Sequence, residues 1–232
     1  FKVRAHNVYG FGDWSDVVSI TATMKPDKPT VLPTVAINNY NVRITWAAPT
    51  NNYESIDAYN IVIWIWDLST TTELTYCDGS VQQIIDQLYC EIPMSVFIGS
   101  PYLLSPNTLI QAQYQAHNAI GWGDLSDENT GGDRVQTIPD QMNTPTRGSL
   151  TSTSQIEVDW STLSSPEDGY SSILSYHLQW DEGSAGVSWY DLVGATVDST
   201  ADTYIVTSTI TGGQSYQFKV RAKNKWGWGD YS

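Results

Sequence analysis

One phrase of fifteen residues recurs three times in this chain, from Phe1 to Ser15, from Ala112 to Ser126 and from Phe218 to Ser232. Each copy opens with alternating strand residues, passes through Ala-x-Asn, and closes an aromatic-bearing turn as Gly-x-Gly-Asp-x-Ser. The starts lie 111 and then 106 residues apart, so the repeating unit has the length of a whole domain. Copies one and three agree at ten of fifteen positions and copies one and two at seven, which suggests a super-repeat of 217 residues containing two domains.

A chain of 232 residues with 41% hydrophobic and 12% aromatic content can bury sizeable cores. Ten Trp and fourteen Tyr against three Met suit pleated, half-buried surfaces, so strands are expected to dominate. No apolar run is long enough to span a membrane as a helix. A net charge of −14 disfavours nucleic acid and anionic membrane surfaces as partners, since both need cations on the protein side. A solvated acidic coat explains that charge, and no EF-hand-like loop points to calcium.

In the first copy, Phe1, Val3 and Ala5 alternate with Lys2, Arg4 and His6, the period of a half-buried strand. Val17 to Thr23 reads as the next strand, in which Val17, Val18, Ile20 and Ala22 are candidates for completing a sheet. Two Pro-bearing joints, Met24 to Thr30 and Ile138 to Thr146, read as short semi-rigid connectors. They set boundaries at 1–24, 25–138 and 139–232. The first and last segments are expected to be incomplete domains, with the last lacking the strand that Asp16 to Thr23 supplies in the first. Strands are expected over Asn41 to Ala47 and Tyr59 to Trp66, with a short turn at most over Gly79 to Leu88. Matching strands carry Ile156, Val158 and Trp160, then Tyr176, Leu178 and Trp180. No helix of ten or more residues is expected, and the fold class is all-β, a run of β-sandwiches.

The order of Pro-rich start, strand Trp (Trp46, Trp160), Tyr-led strand (Tyr59, Tyr176) and Ala-x-Asn-x-x-Gly-x-Gly-x-x-Ser resembles the fibronectin type III repeat family. Leu104, Pro106 and Thr108 resemble that family's approach to its strand F. The resemblance implies seven-stranded sandwiches of two antiparallel sheets. It makes Trp46 and Trp160 core residues of strand B and places Tyr59 and Tyr176 at the start of strand C. Tyr216 takes the place of the tyrosine corner, where a hydroxyl bonds nearby backbone. Ile110 stands at that place in the middle domain, which therefore needs another clamp, for which the two cysteines are candidates. In this family and its cytokine-receptor relatives, cations of strand F stack on aromatics of strand G. Lys2 and Arg4 are expected to face Phe11 and Trp14, and Lys219 and Arg221 to face Trp226, Trp228 and Tyr231. In the middle copy Gln113 and Gln115 replace the cations, leaving Trp122 without a ladder.

Cys77 and Cys90 flank an insertion in the middle domain. A bridge there would close a short loop, worth about 3 kcal/mol in the chain-entropy model, and would favour an oxidising setting. Two buried free thiols or a reactive thiol remain the alternatives. No cofactor is called for and no metal set is visible, since two isolated thiols cannot complete a tetrahedral site. No nucleophile elbow, phosphate loop or His-Glu-x-x-His occurs. His6 and His117 occupy one repeat position and read as solvent-facing, while Glu167-Asp168 and Asp181-Glu182 read as solvated loops. The chain is therefore expected not to be an enzyme.

Trp64 and Trp66 are the less ordinary pair. With Tyr59, Ile61, Ile63 and Ile65 facing the core, both indoles would point outward together, either as an interaction patch or a sugar-stacking platform or covered by the neighbouring domain or the Cys77–Cys90 insertion. Three functions follow. The first is a structural repeat protein of the cell exterior, partnered by neighbouring copies of its own chain or repeat in a fibre or surface coat. The second is an adhesion or receptor ectodomain binding a protein or glycan through its aromatics. The third is an accessory module of a secreted carbohydrate-active enzyme. Assembly by continuous covalent array or by strand exchange between subunits, with residues 16–23 completing the last domain of the next chain, is left open.

Overall fold

A computed structural model describes every residue from Phe1 to Ser232. The first segment holds a single hairpin, β1 (His6–Asn7) and β2 (Gly10–Phe11). The middle segment contains β3 (Thr34–Asn38), β4 (Asn41–Thr45), β5 (Ala58–Trp64), β6 (Thr70–Thr72), α1 (Gln82–Gln87), β7 (Tyr89–Pro93), α2 (Met94–Ile98), β8 (Ala112–Asn118) and β9 (Gly121–Trp122). The last segment contains β10 (Thr146–Arg147), β11 (Ile156–Asp159), β12 (Ser175–Trp180), β13 (Tyr190–Val193), β14 (Thr203–Val206), β15 (Phe218–Asn224) and β16 (Gly227–Trp228).

The middle and last segments each pair a three-stranded sheet with a four-stranded one. The orders are β3-β4-β7 with β6-β5-β8-β9, and β10-β11-β14 with β13-β12-β15-β16, antiparallel throughout. Period-2 alternation produces this directly. In β8 the even positions Ala112, Tyr114, Ala116 and Asn118 are buried, and the residues between them are half-buried. Val42, Ile44 and Trp46 bring the facing sheet into the same core, where Trp46 lies 5.6 Å from Tyr59. The same arrangement recurs around Val158, Trp160, Tyr176 and Leu178. The middle core joins nineteen buried residues and the last only seven, so the middle sandwich is the better sealed.

Several expectations need correction. Residues 1–24 carry no core: Phe1 and Val3 are 81% and 72% exposed. Val17 to Thr23 is not a strand, because past Val18 no backbone runs beside it. β5 stops at Trp64, two residues short, where Asp67 builds a turn by accepting the Ser69 N–H at 2.9 Å and its hydroxyl at 2.6 Å. The insertion does form a helix, α1, and α2 follows it without having been expected.

The joints differ most from the expected connectors. Pro26, Pro29 and Pro139 are buried against the sandwich that follows them. The Asn118 side-chain amide donates to Met24 O at 2.8 Å, and Asn224 donates to Thr137 O at 2.7 Å. A Cβ on Gly123 would stand 2.5 Å from Pro26 O, and one on Gly229 would stand 2.4 Å from Pro139 O. Both glycines are therefore required by close backbone approach. Lys25–Asp124 and Lys28–Asp127 add exposed ion pairs at 2.9 and 2.6 Å. Each joint is a latched part of its downstream sandwich.

Candidate functional site

The repeated phrase builds one local structure three times. The Ala carbonyl accepts the N–H of the second glycine: Gly12 to Ala5, Gly123 to Ala116 and Gly229 to Ala222, at 2.9, 2.8 and 2.9 Å. The closing Ser donates its N–H across the turn and accepts one in return, Val3 N–H to Ser15 Oγ, Tyr114 to Ser126 and Val220 to Ser232, at 3.0, 3.1 and 3.1 Å. The Asn caps its own turn by accepting the N–H two residues on, as at Asn7, Asn118 and Asn224. The phrase is thus a self-contained turn whose spare Asn amide holds the joint.

In the first and third copies, cations line its strand face. Arg4 lies over Phe11 at 3.9 Å and Trp14 at 4.5 Å, with Lys2 over Trp14 at 4.7 Å. Arg221 lies over Trp228 at 4.7 Å and Tyr231 at 4.4 Å, and Lys219 over Tyr231 at 4.6 Å. Such contacts contribute about 0.5–1 kcal/mol each where exposed. Lys219 also covers Trp189 at 4.0 Å, a partner that comes from the sheet edge before β13 and carries no sequence signal. Trp226 is not in this ladder. It donates from Nε1 to Gln136 at 2.9 Å, meets Tyr40 edge-on at 6.2 Å and packs on the core of the preceding sandwich.

Of the two histidines expected to face solvent, His6 does and His117 departs from it. His6 is exposed and meets the Phe11 ring at a tilt, 4.3 Å away. His117 is half-buried, 2.6 Å from Asp57 Oδ1 and 4.8 Å from the Trp122 ring. His177, one of the buried polar residues, lies 2.8 Å from Asp191 Oδ1, and the Tyr231 hydroxyl sits 2.9 Å from its other ring nitrogen. Hydrogen bonds from Gln179 and His177 hold the Asp191 carboxyl below its ordinary range. Asp181 corrects the solvated-loop reading. It is fully buried, and although burial pushes its carboxyl up, the N–H groups of Gln217, Gly183 and Gly186 outweigh this and hold it low.

The Cys77–Cys90 disulfide is formed, its Cα atoms 5.3 Å apart. A second clamp in the middle sandwich was not foreseen. The Tyr102 hydroxyl donates to Glu73 Oε2, and Oε1 accepts the N–H groups of Thr75 and Tyr76 at 2.7 and 2.9 Å. In the last sandwich Tyr216 accepts the Thr211 N–H at 2.8 Å and donates to Thr209 O at 3.1 Å. It is half-buried and stacked on Trp180 rather than a core residue. The expected joint patch of Trp64 and Trp66 is absent: Trp64 is half-buried at the end of β5, and Trp66, 62% exposed, sits in the turn beyond it. No group of three or more His, Cys, Asp or Glu is placed to hold a metal ion.

Taken together, fold and turns define a run of antiparallel β-sandwiches with three- and four-stranded sheets, latched at their joints. No family model matches the chain. Among solved structures it is similar to the crystal structure of chicken CNTN1 FN1–FN3 domains, at 15% identity and a TM-score of 0.39, over 100% of this chain and 74% of that one.

Proposed function

We propose that this chain is a non-catalytic structural repeat protein of the cell exterior, its sandwiches coupled head to tail in a fibre or surface coat. The observation that carries the reading is the joint between the middle and last sandwiches. There the latch of Asn224 and Gly229 fixes the joint on one side, and Trp226 reaches Gln136 and Tyr40 on the other. A chain built to transmit geometry from one sandwich to the next needs both. The disulfide supports an oxidising, extracellular setting, and the charge of −14 supports solubility outside nucleic-acid partnerships. Small-angle scattering should show a stiff particle that becomes flexible in Trp226→Ala, with melting unchanged; equal flexibility of the two proteins refutes the reading. An adhesion ectodomain is the second reading, favoured by Trp66 and Trp14, which stay 62% and 49% exposed.

A further inference from the structure

The two large sandwiches carry matching positions on the outer face of the four-stranded sheet and fill them differently. The registers that set Tyr59 opposite Ala116 and Tyr176 opposite Ala222 make Asn60 the counterpart of His177 and Gln115 that of Arg221. Trp122 and Trp228 correspond in the same way, opposite His117 and Lys223. In the last sandwich these side chains close on one another. Arg221 lies 4.7 Å over the Trp228 ring, its Nε reaches His177 Nδ1 at 3.4 Å, and His177 Nε2 is taken by Asp191.

In the middle sandwich the same face holds a cavity. Gln115 stands where the guanidinium would lie, and Asn60, Gln115, Thr72 and Trp122, together with Asp78 and Ser80, line about 320 Å³ of open space. Asn60 Oδ1 is buried without a hydrogen-bond partner, a state that native proteins rarely leave without a purpose. Trp122 is held in place: the His117 ring lies 4.8 Å from it, and Asp57 fixes His117 at 2.6 Å. The 42% exposure of Trp122 does not come from lacking a sandwich before it. At the second joint, where that sandwich is present, the ring of Trp228 meets His177, Arg221 and Lys223, all from its own sandwich.

We infer that this cavity binds one pyranose ring of a neutral glycan. A sugar ring offers an apolar C–H face to an indole and a rim of hydroxyls that donate and accept hydrogen bonds. Asn60, Gln115 and Thr72 are neutral side chains that also do both, so they match hydroxyls from several directions. A wholly apolar ligand would leave all three unpaired. The only charged lining residue is Asp78, which accepts the Ser80 N–H at 3.1 Å and its hydroxyl at 2.7 Å. An acidic sugar would therefore meet an anion with no cation to offset it. The volume lies at the low end of small-molecule sites, which suits a single ring. None of these side chains takes part in a joint, so the inference and the joint reading stand or fall separately.

The test uses the 232-residue chain and saturation-transfer NMR. The probes are the methyl pyranosides of glucose, galactose, mannose and N-acetylglucosamine, a linear tetrasaccharide of each, and methyl glucuronide as the acidic counterpart. At least one neutral sugar should bind saturably, and methyl glucuronide should bind at least about tenfold more weakly than the best of them. Equal affinity for a glycoside and its tetrasaccharide would identify a free or terminal ring as the ligand, and tighter binding of the tetrasaccharide a ring within a chain; either supports the site. Trp122→Ala should weaken binding at least about tenfold, and so should Gln115→Arg, which restores the arrangement of the last sandwich. Both side chains lie on the outer face, so the melting temperature should stay unchanged. No saturable binding by any neutral sugar, binding that survives both substitutions, or methyl glucuronide binding as tightly as the neutral sugars would each overturn the inference.

Discussion

Removing one hydroxyl should loosen the middle sandwich more than any surface change. Tyr102 and Glu73 are 1% and 6% exposed, so the phenol-to-carboxylate hydrogen bond forms where water cannot replace it. Burial, then Glu73, push the Tyr102 phenol far above its ordinary value, so it remains a donor at every practical pH. A hydrogen bond to a charged group contributes about 1.5–3 kcal/mol, and stranding its buried partner adds to the loss. Glu73 Oε1 keeps its two N–H donors, which limits the damage to Oε2. Tyr102→Phe preserves the ring against Phe97 and opens no sizeable cavity, so packing adds little. The expected loss is therefore about 2–3 kcal/mol, or roughly 30- to 150-fold more frequent opening of this sandwich. Amide hydrogen exchange resolves stability region by region and suits a chain with two cores. Protection across β5 and β8 should fall by that factor while β12 and β15 stay unchanged. A double-mutant cycle with Glu73→Gln should return most of the loss as coupling. A change below about 0.5 kcal/mol, or coupling near zero, refutes the clamp.

Two further outcomes follow from the same cores. Cys77→Ser with Cys90→Ser should lower the stability of the middle sandwich by about 3 kcal/mol, read as a shifted denaturant midpoint; an unchanged midpoint would show that the bridge constrains nothing. Burial and the neighbouring Tyr114 push Tyr59 up to about 12, and burial also raises Tyr114 and Tyr176, so unfolded phenols, at their ordinary 10, release protons first. Stability should be fully present below pH 10 and fall between pH 10 and 12; melting temperatures that do not decline as phenolate absorbance appears would contradict this.

Alternation along the chain was enough to read β4, β5, β8, β11, β12 and β15, because a period of two reports which face of a strand meets a core, whereas β3, β6, β7, β10, β13 and β14 gave no reading of their own. The disulfide was readable as a preference over free thiols. Alternation failed where a local turn ended it: nothing in Ile63 to Trp66 announces the stop, which comes from Asp67 bonding Ser69. Features that join distant segments were not readable. Glu73 and Tyr102 are 29 residues apart, and Asp181 gains its N–H from Gln217, 36 residues on. His177 had no periodic signature to distinguish it from an exposed strand residue, because its partners Asp191, Arg221 and Tyr231 come from other strands and from the chain's last turn. The joints were misread for the same reason. Prolines signal a connector, but the glycines and asparagines that bury them lie nearly a hundred residues downstream.

The repeated phrase holds the joint of its own sandwich. Its fixed residues, Asn and the second glycine, clasp the joint of the same sandwich, and its strand–turn bonds repeat at 2.8–2.9 Å between Gly and Ala in all three copies. The residue before its first glycine is free to vary, as Tyr9, Ile120 and Trp226. Trp226 crosses to the preceding sandwich. An indole spans a gap that isoleucine cannot, and its N–H finds Gln136. Both joints therefore share the same clasp, and at the second one Trp226 also grips the sandwich before it.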